Sequence, residues 1–269
     1  MSTGADLGHE ADAARRIVLE AALASGSCHI GSSLSIVDIL TVLYQRSLRA
    51  EAGDRFLLSK GHAASALYAA LARAGVLDEA EVIAGYCRDG GAYAGHPERH
   101  VPGVEVTAGS LGHGVAVALG RALADRADGR DTRTFCLVGD GELDEGSVWE
   151  AVALAGHLAP PGLRLIVDAN GFQGLGRVGE VLSLEPLGEK FRAFGWIVSE
   201  VDGHHHAALE CALGAPARRP VAIVARTVKG YGVPALEGEF MSHYRSFRPH
   251  ERDILFAGLD GLDGLAEAA

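Results

Sequence analysis

Five short apolar runs most constrain this chain: Arg55–Ser59, Thr134–Val138, Leu163–Val167, Trp196–Val201 and Val221–Ala225. They are continuous rather than alternating, as strands buried on both faces of a sheet must be. Helical spacing fills most of the intervals, over residues 63–74, 111–125, 148–158 and 187–194, and precedes the first run over residues 7–24 and 34–48. Gly26 follows the first helical stretch where a helix would stop. Apolar strands alternating with helices predict an α/β fold, a mostly parallel sheet sandwiched by helices through right-handed crossovers. With 48% hydrophobic residues the chain can bury a sizeable core. No linker rich in Pro, Gly or Ser divides it and no internal repeat appears. The expected organisation is therefore a single domain over residues 1–269, with residues 1–50 as a helical lead-in and residues 240–269 as a C-terminal tail.

Several function classes are disfavoured by composition. A net charge of -11 repels phosphate backbones and no basic run offsets it, so no nucleic acid partner is expected. No apolar stretch reaches the roughly 20 residues of a membrane span, and Asp6, Glu10 and Asp12 break the order of a signal peptide. A cytoplasmic protein with no membrane association is expected. Cys28, Cys87, Cys136 and Cys211 form no Cys-x-x-Cys pair, which reads as reduced thiols rather than zinc or disulfide chemistry. His204-His205-His206 are chain neighbours, which seldom converge on one ion, and are read as a solvated turn.

Ligands of open parallel sheets collect beyond the carboxyl ends of the strands. Here those exits carry Ser59-Lys-Gly-His62, Gly139-Asp-Gly-Glu142, Asp168-Ala-Asn170, Asp202-Gly-His204 and Thr227-Val-Lys229. Asp140 and Asn170, thirty positions apart, end two successive runs that can be sheet neighbours. Magnesium takes oxygen ligands and keeps positions for phosphate oxygens, which Asp140, the Asn170 amide and a carbonyl near Phe172 could supply. Glycines beside Asp140 let a diphosphate approach the backbone, and a helix starting near Gly146 would turn its positive end to the same edge. Glu142, Asp144, Glu145 and Glu150 can be read as an acid/base pair or as an acidic, solvated helix start. A competing signal is Gly174-Leu-Gly-Arg-Val-Gly179, which fits a dinucleotide fingerprint with Glu200 or Asp202 downstream and would make the chain an NAD-binding Rossmann-type oxidoreductase. A catalytically idle scaffold subunit is a third reading, against which Asp140 and Asn170 stand.

Gly-Asp-Gly followed about thirty residues later by Asn resembles the thiamine-diphosphate signature of the transketolase family. Ser27-Cys-His-Ile-Gly31, Leu58-Ser-Lys-Gly-His-Ala63, Ala94-Gly-His-Pro-Glu98 and Gly109-Ser-Leu-Gly-His-Gly114 resemble successive motifs of that family's amino-terminal half, in the same order. Gly141-Glu-Leu-Asp-Glu-Gly-Ser-Val-Trp-Glu150 and Thr227-Val-Lys-Gly-Tyr-Gly232 extend the similarity over roughly residues 10 to 245. The resemblance implies thiamine diphosphate with magnesium held by Asp140, Asn170 and the Phe172 carbonyl. It implies a diphosphate held by His62, Gly139, Gly141, Glu142 and His243, and an aminopyrimidine touched by Gly109, Ser110 and Leu111. His29, His62, His96 and His243 would be the catalytic histidines lining a sugar channel. The chain departs from the family in two motifs, with Cys28 and Ile30 around His29 where Ser-Gly-His-Pro-Gly is usual, and His243 in Ser-His-Tyr rather than Trp-His-Gly. Ending at Ala269, it is expected to lack the domain that supplies the family's activating glutamate. The implied role is the amino-terminal subunit of a split transketolase, active only with a pyrimidine-binding carboxy-terminal partner in an α2β2 heterotetramer. It would transfer a two-carbon ketol unit from a ketose or its phosphate to an aldose.

Overall fold

A computed structural model describes residues 6–259. Residues 1–5 of the expected lead-in and 260–269 of the expected tail lie outside the described residues. Asp6 opens the first helix, α1 (Leu7–Ser25), by accepting the Gly8 N–H, and Gly26 closes it in the left-handed region at φ 67°. The helix expected over residues 34–48 is instead α2 (Ile30–Leu34), α3 (Val37–Val42) and one wider turn to Ser47. The break falls at Ser35, whose hydroxyl donates to the Ser32 carbonyl and to Asp168, a distant carboxylate that no local pattern announces.

β1 (Arg55–Leu58), α4 (Ala64–Arg73), α5 (Glu79–Gly85), α6 (Gly114–Ala127), β2 (Thr134–Gly139) and α7 (Gly146–Leu158) follow. After them come β3 (Leu163–Ala169), the two-residue strands β4 (Phe172–Gln173) and β5 (Gly176–Arg177), α8 (Val178–Val181) and α9 (Leu187–Ala193). β6 (Ile197–Asp202), α10 (His206–Gly214), β7 (Val221–Arg226) and α11 (Arg252–Phe256) complete the order. The helix expected from Leu111 begins at Gly114, because Gly112 sits at φ 82° and its N–H is taken by Glu142. Within the expected tail, Leu255, Phe256 and Leu259 are buried in the core.

Five strands pair in the order β1-β2-β3-β7-β6, and every pairing is parallel. The expected mostly parallel α/β sheet is thus the observed one. Along each central strand the residues alternate between two cores. Phe135, Leu137, Ile166 and Ile223 face the side covered by α1, α3 and α4, while Cys136, Val138, Val167 and Val224 face the side covered by α6 and α7. Both faces being dry explains why β2 and β3 are buried throughout and mostly apolar, with Arg164 and Asp168 the charged exceptions in β3. Among the described residues no helix is long and apolar enough to cross a membrane.

Gly156 lets α7 lie against the chain beyond α9: a Cβ there would collide with the Phe194 carbonyl oxygen. Gly156→Ala should therefore destabilise the protein by about 1–3 kcal/mol, rather than bring the ~1 kcal/mol gain of an unobstructed helical Gly→Ala change. Urea unfolding with an unchanged m-value reads this directly; a raised midpoint would refute the close packing.

Candidate functional site

At the carboxyl edge of the sheet a cavity of about 320 Å³ opens between the exits of β1, β2 and β3. A larger one, about 610 Å³, lies at the opposite edge among Arg49, Arg126, Arg133 and Arg164, remote from the strand exits. The smaller cavity is the one that gathers the residues singled out in the sequence. His29, His62, His96, Gly109, Leu111, Gly139, Asp140, Gly141, Glu142, Asn170, Phe172 and His243 all line it. Ser110 opens instead onto an adjoining cavity of about 200 Å³ beside Gly109.

Beneath the floor lies Asp168, fully buried at the end of β3. It accepts hydrogen bonds from Ser35 Oγ at 2.7 Å, Asn170 Nδ2 at 2.8 Å, Lys60 Nζ and Thr227 Oγ1. Burial alone would raise its pKa, but the Lys60 charge and the converging donors hold it below the usual carboxylate range. This fixes the Asn170 amide, whose Nδ2 is committed to Asp168 while Oδ1 accepts the Phe172 N–H at 3.0 Å. Asp140, 6% exposed, accepts the N–H of Gly141 at 2.9 Å and of Gly171 at 2.6 Å. Burial, then the charge of Asp168, push its pKa up to about 7. A buried carboxylate beside another is short of positive charge, which a cation supplies. Among the described residues no cluster of three or more His, Cys, Asp or Glu could cage an ion. The donors present, one carboxylate with amide and carbonyl oxygens nearby, instead suit a hard cation completed by phosphate and water, so the residues fit magnesium.

His29, His62 and His243 form a compact group, with ring centroids 4.8 to 5.4 Å apart. His29 adopts φ 67° at the start of α2 and donates its N–H to the His243 carbonyl. Burial, then neighbouring His and Lys charges, lower the pKa of all three, with His243 at about 3, so each imidazole is neutral near pH 7. His243 Nδ1 lies 3.3 Å from Lys229 Nζ and 3.2 Å from Ser32 Oγ, so Nδ1 is the acceptor and the proton sits on Nε2. Lys60 and Lys229 are each 1% exposed, and burial followed by the Lys60 charge brings Lys229 down to about 8. Both lysines stood in the strand-exit segments Ser59-Lys-Gly-His62 and Thr227-Val-Lys229 but were given no role in the site, and Ser32 and Gln173 carried no signal.

Two expectations are corrected here, and one competing reading finds no support. Glu142 is neither half of an acid/base pair nor part of a solvated helix start: 3% exposed, it accepts from Ser59 Oγ, Gly112 N and Gly139 N and braces the cavity wall. His204 and His206 are not a solvated turn, since their side chains are 7% and 23% exposed and both bind Asp38 at 2.8 Å. Gly174 to Gly179 spans the β4–β5 hairpin and opens α8, four residues long, so the strand-then-long-helix setting of a dinucleotide fingerprint is not formed.

The sequence model described as "Transketolase, thiamine diphosphate binding domain" matches residues 8–254. The chain is 38% identical over 249 residues to a 6-deoxy-6-sulfo-D-fructose transketolase subunit of Clostridium sp., covering 88% of this chain and 90% of that one. It is 35% identical over 240 residues to an apulose-4-phosphate transketolase subunit of Phocaeicola vulgatus, covering 86% and 85% respectively. A crystal structure of transketolase from Campylobacter jejuni superposes with a TM-score of 0.86 at 30% identity, over 95% of this chain and 42% of that one.

The shift at Asp140 carries a sign. Its folded pKa of about 7 lies above the ordinary 3.8, so in metal-free buffer its contribution to stability is present below pH 3.8 and lost as pH rises through about 7. Relative to wild type, Asp140→Asn should therefore gain stability steadily from about pH 4 to pH 8. Chemical unfolding across that range, with chelator present, measures the difference; a difference independent of pH would mean that Asp140 ionises normally.

Proposed function

Because this chain belongs to the transketolase family, we propose that it is the amino-terminal subunit of a two-subunit, cytoplasmic transferase that binds thiamine diphosphate and magnesium. The observation that carries the reading is the placement of Asp140 and Asn170 at the ends of adjacent strands, in the wall of a cavity that also holds three neutral histidines. The Clostridium and Phocaeicola relatives, matched over most of their own length, bear the word subunit in their names, which supports a division of the enzyme between two polypeptides. A separate carboxy-terminal subunit would bind the pyrimidine and bring the activating glutamate, and two such pairs would form an α2β2 heterotetramer.

Asp140, Asn170 and the Phe172 carbonyl would hold magnesium. His62, His243, Gly139 and Gly141 would hold the diphosphate, with Glu142 bracing the loop around them. Lys60 adds positive charge at the same wall and Lys229 adds it from behind His243. Gly109 suits the aminopyrimidine because a Cβ there would meet nothing within 4 Å, leaving space above its backbone, with Ser110 and Leu111 beside it. When bound, thiamine diphosphate supplies the carbon that carries a two-carbon ketol unit from a ketose or ketose phosphate to an aldose. The chain's histidines orient the sugar. His243 presents Nε2–H as a donor because Lys229 and Ser32 occupy Nδ1, and neutral His29 and His62, with His96 beside them in the wall, can accept or return a hydroxyl proton without repelling the neighbouring ammonium groups.

Isothermal titration of thiamine diphosphate with magnesium tests the assignment, on this chain alone and mixed with the product of the adjoining gene. Tight binding should appear with the partner, and Asp140→Ala should weaken it by more than about 100-fold while the circular dichroism spectrum is kept. Unchanged affinity in Asp140→Ala would overturn the metal assignment, and absence of cofactor binding by the wild-type chain both alone and with the partner would overturn the function.

A further inference from the structure

The histidines after β6 belong to a polar cluster outside the cofactor cavity. Asp38, on α3, is 2% exposed and accepts from three elements. Its Oδ1 takes His206 Nε2 at 2.8 Å; its Oδ2 takes His204 Nδ1 at 2.8 Å together with Arg15 of α1. Burial opposes ionisation, but the hydrogen bonds from His204 and His206 and the Arg15 charge hold the carboxyl below the usual carboxylate range, so it acts only as an acceptor near neutrality. That fixes the His204 tautomer. With its proton on Nδ1 facing Asp38, the ring presents a bare Nε2, which accepts the Val228 N–H at 2.8 Å. The ring also stacks on Tyr231, centroids 3.5 Å apart at 14°, and the Arg15 guanidinium lies 5.2 Å over that tyrosine's centroid.

Val228 stands between two residues that hold groups of the site. Thr227 donates to Asp168, and Lys229 approaches His243. Val228 itself is 39% exposed, so its side chain cannot fix the segment by burial. The flanking backbone is held at Thr227 by the Ala169 carbonyl and at Gly230 by the Gly31 carbonyl, leaving the Val228 N–H to a side chain.

We propose that Asp38 and His204 are a positioning pair, in which the carboxylate sets the imidazole tautomer and the imidazole holds the Val228 N–H, thereby placing the Lys229 ammonium against His243 in the wall of the cofactor cavity. The pair touches neither cofactor nor substrate. Its functional consequence rests on the thiamine-diphosphate reading; the hold on Val228 does not. His204 thus acts on the site as an outer-shell histidine acts on a metal, through the group that it orients.

Two substitutions separate positioning from general support. A glutamine amide places a hydrogen-bonding atom near Nε2 of the histidine that it replaces, whereas an asparagine amide reaches only the Nδ1 position. His204→Asn should therefore release the Val228 amide to rapid hydrogen exchange and weaken magnesium–thiamine diphosphate binding by about tenfold, and His204→Gln should restore both towards wild type. The amide is followed by 15N NMR on the full chain, and affinity by titration of the mixture with the adjoining gene's product. A Val228 amide that stays protected in His204→Asn, or Asn and Gln variants that weaken binding equally, would overturn the proposal. Wild-type protein that binds no cofactor in any mixture would overturn the functional reading and the cofactor consequence together, while the Val228 amide still decides the His204 contact.

Discussion

The carboxylate of Asp168 is the constraint on which the site depends. It lies under the cavity with no exposed surface and draws one donor each from the α2–α3 junction, the exit of β1, the turn after β3 and the exit of β7. A buried charge in a sheet this dry persists only if paired and hydrogen-bonded, so each contributing segment is held in place by the need to satisfy it. Removing one partner of such a buried ion pair commonly costs about 3–5 kcal/mol, because the other is left uncompensated. The same contacts orient functional groups: Lys60 is fixed at the wall and Asn170 is pinned by its nitrogen. Stability and site geometry here are one hydrogen-bond network.

Charge around the cavity is balanced for an occupant rather than for water. Burial, reinforced by the Lys60 and Lys229 charges, keeps the three histidines neutral, while Asp140, crowded by burial and by Asp168, ionises only as pH rises through about 7. An anionic ligand relieves the lysines and a divalent cation relieves Asp140, so a metal diphosphate satisfies both at once. Neither alone would. This complementarity gives the thiamine-diphosphate reading a physical basis beside the similarity of sequence.

Much of this was legible in the sequence because it follows from local periodicity. Strands β2 and β3 are mostly apolar on both faces, and Asp140 and Asn170 could be placed at the sheet edge from the ends of those runs alone. What was illegible depends on partners far along the chain. Ser35 breaks the helix expected over residues 34–48 because Asp168 lies 133 positions away, and His204 is buried because it meets Asp38, 166 positions away. Glu142 sits among acidic neighbours at a helix start, yet turns inward to Ser59 and the Gly112 turn, contacts that exist only once β1 and β2 pair. The short helices α5 and α10, of seven and nine residues, carry too few turns for a periodic signal.

The glycines of the strand-exit motifs explain why those motifs could be recognised at all. A Cβ at Gly31 would run into the Ser242 hydroxyl, one at Gly114 into Ser59, and one at Gly141 into Gln173. Gly61 packs its Cα against Ala108 and His96, where an added Cβ would lie 3.2 Å from each. A side chain at these positions would force its neighbours to shift, because loops from separated parts of the chain close on one another there, bringing His29, His62 and His96 to a common wall. The small residues between the histidines therefore record how tightly the loops meet, and the histidines and carboxylates record what the enclosed space must hold. Gly31, two positions after His29, could not be exchanged without moving Ser242, which adjoins His243.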